Sequence, residues 1–254
     1  QAAVAARAHG ERFVVVCADP ADVHRLAQEM PWFEPSLDVR PMPDWETLPY
    51  DVLSPQEELV SERLETLYRL TTPSGGADVL LASAVTASQR LAPVAYIGAN
   101  TFFFKKVERI SIEKLRENLV QAGYAAVKQV LAAGEFAVRG SIVDVFPMGS
   151  EKPFRLDLFD DEIDEIRWFD VETQRSMESV EEIRLLPGHE FPVDPESMLA
   201  FRQRWRTRFP SDPKKSLVYK DAEQGILSPG IEYYLPLFFD ETATLADYLP
   251  ESAK

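Results

Sequence analysis

Cysteine, histidine and glycine are scarce in this chain: 254 residues contain one Cys, three His and 11 Gly. A lone Cys17 excludes an internal disulfide framework and any cysteine-based zinc cluster. Inside its apolar run it reads as an inert, packed thiol. His9, His24 and His189 stand far apart without metal-ligand spacing, so no metal site is expected. There is no G-x-x-x-x-G-K-[ST] phosphate loop, and Gly75-Gly76 leads into Ala77-Asp78 without a lysine. Basic residues are also short, 27 Lys and Arg against 42 Asp and Glu, for a formal net charge of −15. That balance excludes a freely basic nucleic-acid binder, which needs clustered cations to neutralise phosphates. No apolar run reaches the roughly 18 residues of a membrane span, and no charged-then-apolar leader precedes a cleavage site. With 45% apolar residues the chain can build a core, and a soluble, cytosolic, mixed globular protein is expected. Gln1 in place of Met points to a piece of a longer chain.

Proline, by contrast, is abundant at 19 residues. Asp19-Pro20, Ser54-Pro55 and Asp194-Pro195 each set a capping acceptor before a first-turn proline, and Glu57 completes a capping box with Ser54. Val60, Leu64 and Leu67 then continue at helical spacing, which predicts a helix over 55–70. The β-branched runs Arg12 to Ala18 and Asp78 to Ala82 read as strands buried on two faces, separated by helices, hence a parallel α/β sheet. After residue 107 the texture changes. A helix capped by Ser111 runs toward Gly123, with Leu115 and Leu119 inward. Strands follow at Gly134 to Phe146, Pro153 to Phe159, Ile163 to Phe169 and Val180 to Leu186, with turns between them, as in an antiparallel α+β module. From Asp194 helix returns, and a Pro- and aromatic-rich stretch spans Gly230 to Phe239. Three segments result: 1–106, 107–188 and 189–254.

No catalytic constellation emerges. Asp161-Glu162-Ile163-Asp164 spells an acidic helicase box, yet it follows a strand as a hairpin turn and lacks a phosphate loop to serve. Along Pro153 to Asp160, period-two alternation puts Phe154, Leu156 and Leu158 on the core face and Arg155, Asp157 and Phe159 on the outer one. An aromatic beside an arginine is the composition of a binding hot spot; equally, Phe159 can simply cover the strand end. Arg139-Gly140, just before the run Ser141 to Phe146, is either a second exposed contact or an ordinary strand-start charge. Residues 201–220 carry seven Lys and Arg against Asp212 alone, which raises a competing reading as a DNA- or nucleotide-handling domain. At about 100° per residue, however, Met198, Phe201, Trp205 and Phe209 form one stripe that the arginines merely border. Residues 151–182 run the other way, with 12 acids against 4 bases.

Several blocks resemble the bacterial transcription-repair coupling factor family, Mfd. They are Asp44-Trp45-Glu46-Thr47-Leu48-Pro49-Tyr50-Asp51, Gly134-Glu135-Phe136-Ala137-Val138-Arg139-Gly140 through Asp144-Val145-Phe146-Pro147-Met148-Gly149, and Phe154-Arg155-Leu156-Asp157-Leu158-Phe159-Asp160-Asp161-Glu162-Ile163-Asp164. Leu186-Pro187-Gly188-His189-Glu190-Phe191-Pro192 and Gly230-Ile231-Glu232-Tyr233-Tyr234 extend the match. The blocks run in order and correspond to the N-terminal, UvrB-like module of that family. The resemblance implies a degenerate RecA/helicase-like α/β domain in two parts (1A, residues 1–106; 1B, residues 189–254). Between them lies an inserted antiparallel α+β domain, residues 107–188, as in UvrB. It implies docking of UvrA on the inserted domain through Arg139, Arg155 and Phe159, and masking of that surface by the family's C-terminal domain. It also implies that RNA polymerase, double-stranded DNA, ATP and Mg are handled by parts outside this chain, with no cofactor, metal, catalysis or membrane contact in this segment.

Overall fold

The computed structural model describes residues 12–49, 52–72, 77–250 and 253. His9, the Gly75-Gly76 pair and Tyr50-Asp51 lie outside the described residues. The chain forms a mixed α/β structure with several sheets and divides into two compact units, Gln1–Gly98 with Pro229–Lys254, and Ala99–Ser228. That division differs from the three segments read from sequence, since 99–106 and 189–228 cluster with the middle one. For 99–106 the cause is pairing, since strand β4, Phe102–Lys105, bonds antiparallel to β11, Glu182–Leu185; beyond residue 188, the His189 and Val193 side chains pack at Gly123. No helix among the described residues is long and apolar enough to cross a membrane.

In the first unit, strands β1 (Phe13–Cys17), β2 (Val39–Pro41) and β3 (Val79–Ser83) form a parallel sheet in the order β1-β3-β2. Helix α1, Pro20–Phe33, begins where expected, its Asp19 carboxylate accepting from the Ala21 N–H at 2.7 Å. Cys17, Val23, Leu37, Val79 and Leu81 make one core cluster. Only β3 is buried along its length. β1 was expected to be buried on both faces, but among the described residues it pairs with β3 alone, and Val16 is 57% exposed.

Helix α2, Glu57–Thr71, corrects the capping box: its N-cap is Gln56, without a side-chain cap. Ser54 is committed elsewhere, donating to Glu232 at 3.0 Å and accepting from the Gly230 N–H at 3.2 Å. The Trp45 loop is a packed one. Fully buried Arg63 donates to Pro43 O at 2.7 Å and lies 5.0 Å from the Trp45 ring, while Tyr233 meets that ring edge-on at 5.1 Å. Short helices α3, Ala84–Ser88, and α4, Val94–Ala99, follow β3, the first capped by Ser83.

The second unit is built on a six-stranded sheet in the order β10-β9-β8-β7-β6-β5. Its strands are β5 (Ala125–Ala126), β6 (Glu135–Arg139), β7 (Ile142–Val145), β8 (Phe154–Phe159), β9 (Glu162–Phe169) and β10 (Ser176–Ser179). All neighbours run antiparallel except β5 and β6. Phe136, Val143, Leu156 and Ile166 lie on one face of the sheet and are buried. Helix α5, Ile112–Gln121, is capped by Ser111 and buries Leu115 and Leu119 as its spacing predicts. Beyond it, the buried Tyr124 hydroxyl donates to Leu186 O at 2.8 Å and accepts from the Met148 N–H at 3.0 Å. These bonds tie three distant segments together.

Helix α6, Pro195–Arg208, buries Met198, Phe201 and Trp205, and pairs with α7, Leu217–Glu223. Two of its arginines serve that packing. Arg206 Nε donates to the Tyr219 hydroxyl at 2.6 Å, and Arg202 lies 3.8 Å from Glu223.

A Cβ on Gly188 would stand 2.6 Å from the carbonyl oxygen of Gly123, a backbone atom that cannot yield. Gly188→Ala is therefore expected to cost about 2–3 kcal/mol in chemical denaturation, as overpacked sites do. Next to it, burial holds the His189 imidazole down at about 4 against its ordinary 6.5. A histidine with a depressed pKa supports the fold above its unfolded value and loses that support as pH falls through the folded one. Stability should thus decline between pH 6.5 and 4, by about 3 kcal/mol from this group. His189→Phe should remove that part of the decline in urea titrations at pH 7 and 4.5; parallel losses in both proteins would refute the assignment.

Candidate partner-binding face

Antiparallel register decides which side chains share the second face of the six-stranded sheet. Asp144 pairs with Ala137 on one side and Arg155 on the other; Arg155 pairs with Arg167, and Ile142 joins Arg139 to Asp157. Paired residues point to the same side, so Arg139, Asp144, Arg155, Asp157, Glu165 and Arg167 form one polar ladder over β6 to β9. Ala137 and Phe169 lie on this face too, clustered with Val130 as a small second core. The ladder carries three cations and three anions. Outside the ladder, four acids crowd the β8–β9 turn and the bulge beyond it, at Asp160, Asp161, Glu162 and Asp164.

Asp144 is the centre of the ladder. Its carboxylate, 1% exposed, accepts from Arg155 Nε at 2.7 Å and Nη2 at 3.0 Å, and also from Arg139 Nη2. Arg155 is itself only 14% exposed. Its Nη1 donates to Ser176 Oγ at 3.0 Å and Gln174 O at 3.3 Å, and its guanidinium lies 4.9 Å from the Phe169 ring. The expectation of a solvent-facing Arg155 is thus corrected: alternation placed it on the right face, but that face is covered at this point by Phe169, Gln174 and Ser176. The Asp144 hydrogen bond raises the pKa of Arg155 above its usual value. Burial pushes the Asp157 carboxyl upward against the pull of Arg167 and Arg155, whereas hydrogen bonding from Arg167 holds Glu165 low.

Arg139 and Phe159 are different. The Arg139 side chain is 49% exposed and Phe159 is 74% exposed. Each sits at the last residue of its strand, before the turns Gly140-Ser141 and Asp160-Asp161. Because Leu158 N–H donates to Ser141 O at 2.9 Å, the two turns lie side by side at one end of the sheet. Gly140 (φ 63°) and Asp160 (φ 53°) supply the left-handed residues that such tight reversals require. The acidic tetrad is therefore part of a hairpin, as expected. A shallow depression of about 510 Å³ opens beside Phe159, walled by Asp160, Asp161, Glu162 and the segment Arg109–Ser111. Arg109, 85% exposed, borders Glu162 across an isolated bridge.

Asp144 was not singled out in the sequence. Its signal is an acid at an inward position between Val143 and Val145, which becomes meaningful only once its register against Arg155 is known. The first unit has a crevice of about 70 Å³ at the carboxyl ends of its parallel strands. Among the described residues its lining holds Asp44, Glu46 and Glu62 and no Lys or Arg, a poor match for a nucleotide phosphate. Among the described residues no group of three or more His, Cys, Asp or Glu could hold a metal ion.

Breaking a buried pair costs far more than removing one exposed cation. Arg155→Met, which strips Asp144 of its bidentate partner, is expected to destabilise by about 3 kcal/mol. Arg139→Ala should cost below about 1 kcal/mol. Guanidinium denaturation of the two variants checks the ordering, and equal losses would contradict it.

The span 102–191 matches the family described as the UvrB interaction domain, and it includes the whole six-stranded sheet. The transcription-repair-coupling factor of Haemophilus influenzae is 48% identical over 241 residues, covering 94% of this chain and 21% of the relative. That of Escherichia coli is 44% identical over 246 residues, with 96% and 21% covered. The Bacillus subtilis relative of the same name is 30% identical over 211 residues, with 77% and 18% covered. The chain spans about a fifth of the length of the curated relatives it matches. At such identity over nearly its whole length, the chain belongs to the transcription-repair coupling factors, as a segment that carries their UvrB interaction domain.

Proposed function

We propose that this chain is the part of a bacterial transcription-repair coupling factor that recruits UvrA, and that UvrA docks on the turn end of the six-stranded sheet. The observation that carries this reading is an exposed Phe159 beside a half-exposed Arg139, on adjacent turns within the matched span. An apolar ring left 74% exposed gains free energy when a partner covers it, and aromatic side chains beside arginine are enriched at binding hot spots. Arg155 supports the same face from within. On this reading the chain is a docking module without catalysis, metal or cofactor. The larger cytoplasmic protein meets stalled RNA polymerase and double-stranded DNA through other parts, whose motor uses ATP and Mg. Its C-terminal domain masks the docking face until repair is called for. Residues 1–106 and 189–254 are the two parts of a degenerate RecA-like domain, a reading supported by the parallel β1-β3-β2 sheet in the first part. The commitments of Arg206 to Tyr219 and of Arg202 beside Glu223 favour protein docking over DNA handling by 201–220.

Phe159→Ala should lower capture of purified UvrA by the immobilised chain about tenfold or more, the loss typical of a central aromatic anchor. Circular dichroism should stay unchanged, because the ring packs on little. Full capture by the folded variant would sink the docking site.

A further inference from the structure

The arginines of the polar face differ in what they can still offer a partner. Arg155 has four of its five N–H groups engaged, two by Asp144 and two by Ser176 and Gln174. It cannot present a fork. Arg139 donates once, through Nη2 to Asp144, and its other four N–H groups have no partner among the described residues. Two guanidinium groups share the one Asp144 carboxylate, and the exposed corner of this trio is the Arg139 fork. A free arginine at a strand end samples many rotamers, and binding must freeze them. The bond to Asp144 does that freezing in advance, since Asp144 is itself fixed by bidentate Arg155 and by its place in the middle of β7.

We infer that Asp144 is the positioning residue of the docking face: it holds Arg155 as an internal strut and tethers Arg139 so that the remaining fork meets a carboxylate of the partner. The inference rests on the reading that UvrA docks here, and it adds a division of labour. Arg139 makes the directional contact and Phe159 the apolar one, on the adjacent turn, where its ring excludes water from the ion pair. Arg155, with one N–H left over, acts chiefly through Asp144. An arginine fork, rather than any cation, is required, because a planar carboxylate takes two parallel N–H donors.

The test titrates the chain and its variants onto purified UvrA by calorimetry, with thermal melts of each variant. Asp144→Asn and Arg139→Ala should each weaken binding about tenfold, the size of one lost charged contact. The double variant should bind no worse than the weaker single, because both changes remove the same contact. Arg139→Lys keeps the charge and loses the fork, and should weaken binding as Arg139→Ala does. Losses that multiply in the double variant, or wild-type affinity in a folded Asp144→Asn, would overturn the inference. If Asp144→Asn does not fold, Arg139→Lys decides alone, and wild-type affinity in that variant is the overturning result. Wild-type affinity in Phe159→Ala as well would instead remove the docking reading itself.

Discussion

The buried carboxylate of Asp144 is the constraint around which the second unit is arranged. An ion withdrawn from water is costly unless its oxygens are filled, and here two arginines from the flanking strands fill them. That requirement sets the register of β6, β7 and β8 against one another. A slip of one residue would turn Asp144 into the apolar core and leave the arginines facing Val143 or Val145. The same bonds fasten the strand that leads to Phe159, so the exposed ring stands on a braced support. Polar specification of register and presentation of a binding surface are one arrangement.

A second constraint closes the unit at its opposite side. Tyr124 gathers Leu186 and Met148 by hydrogen bonds, and Gly188 lets the returning chain press against the end of α5. The approach is backbone against backbone, which is why only a residue without Cβ fits there. The β4–β11 pair explains why residues just before the expected boundary at 107 belong to the unit.

Local chemistry made several elements legible before any coordinates. Asp19, Ser111 and Asp194 cap the helices their spacing announces, and Asp160-Asp161 turns the chain where two acids interrupt alternating apolar residues. Alternation also sorted β8 correctly into two faces. It failed on how exposed each position is, because covering is a tertiary matter: Phe169, Gln174 and Ser176 close over Arg155 from strands and turns far along the chain. Ser54 misled for a related reason, since a hydroxyl able to cap its own helix was taken by Gly230 and Glu232 instead. β4 and β5 were missed because short strands carry little periodic signal.

The pairing of β4 with β11 has a further meaning. The chain enters the matched span on one of these strands and leaves soon after the other, and Lys105 stands opposite Glu182. Adjacent antiparallel residues are only about 5 Å apart. The roughly eighty residues that these strands bracket therefore start and finish side by side, a long loop closed by backbone hydrogen bonds alone. Whatever the side chains of the sheet present to a partner, the two ends of that loop stay together. The closure rests on two four-residue strands.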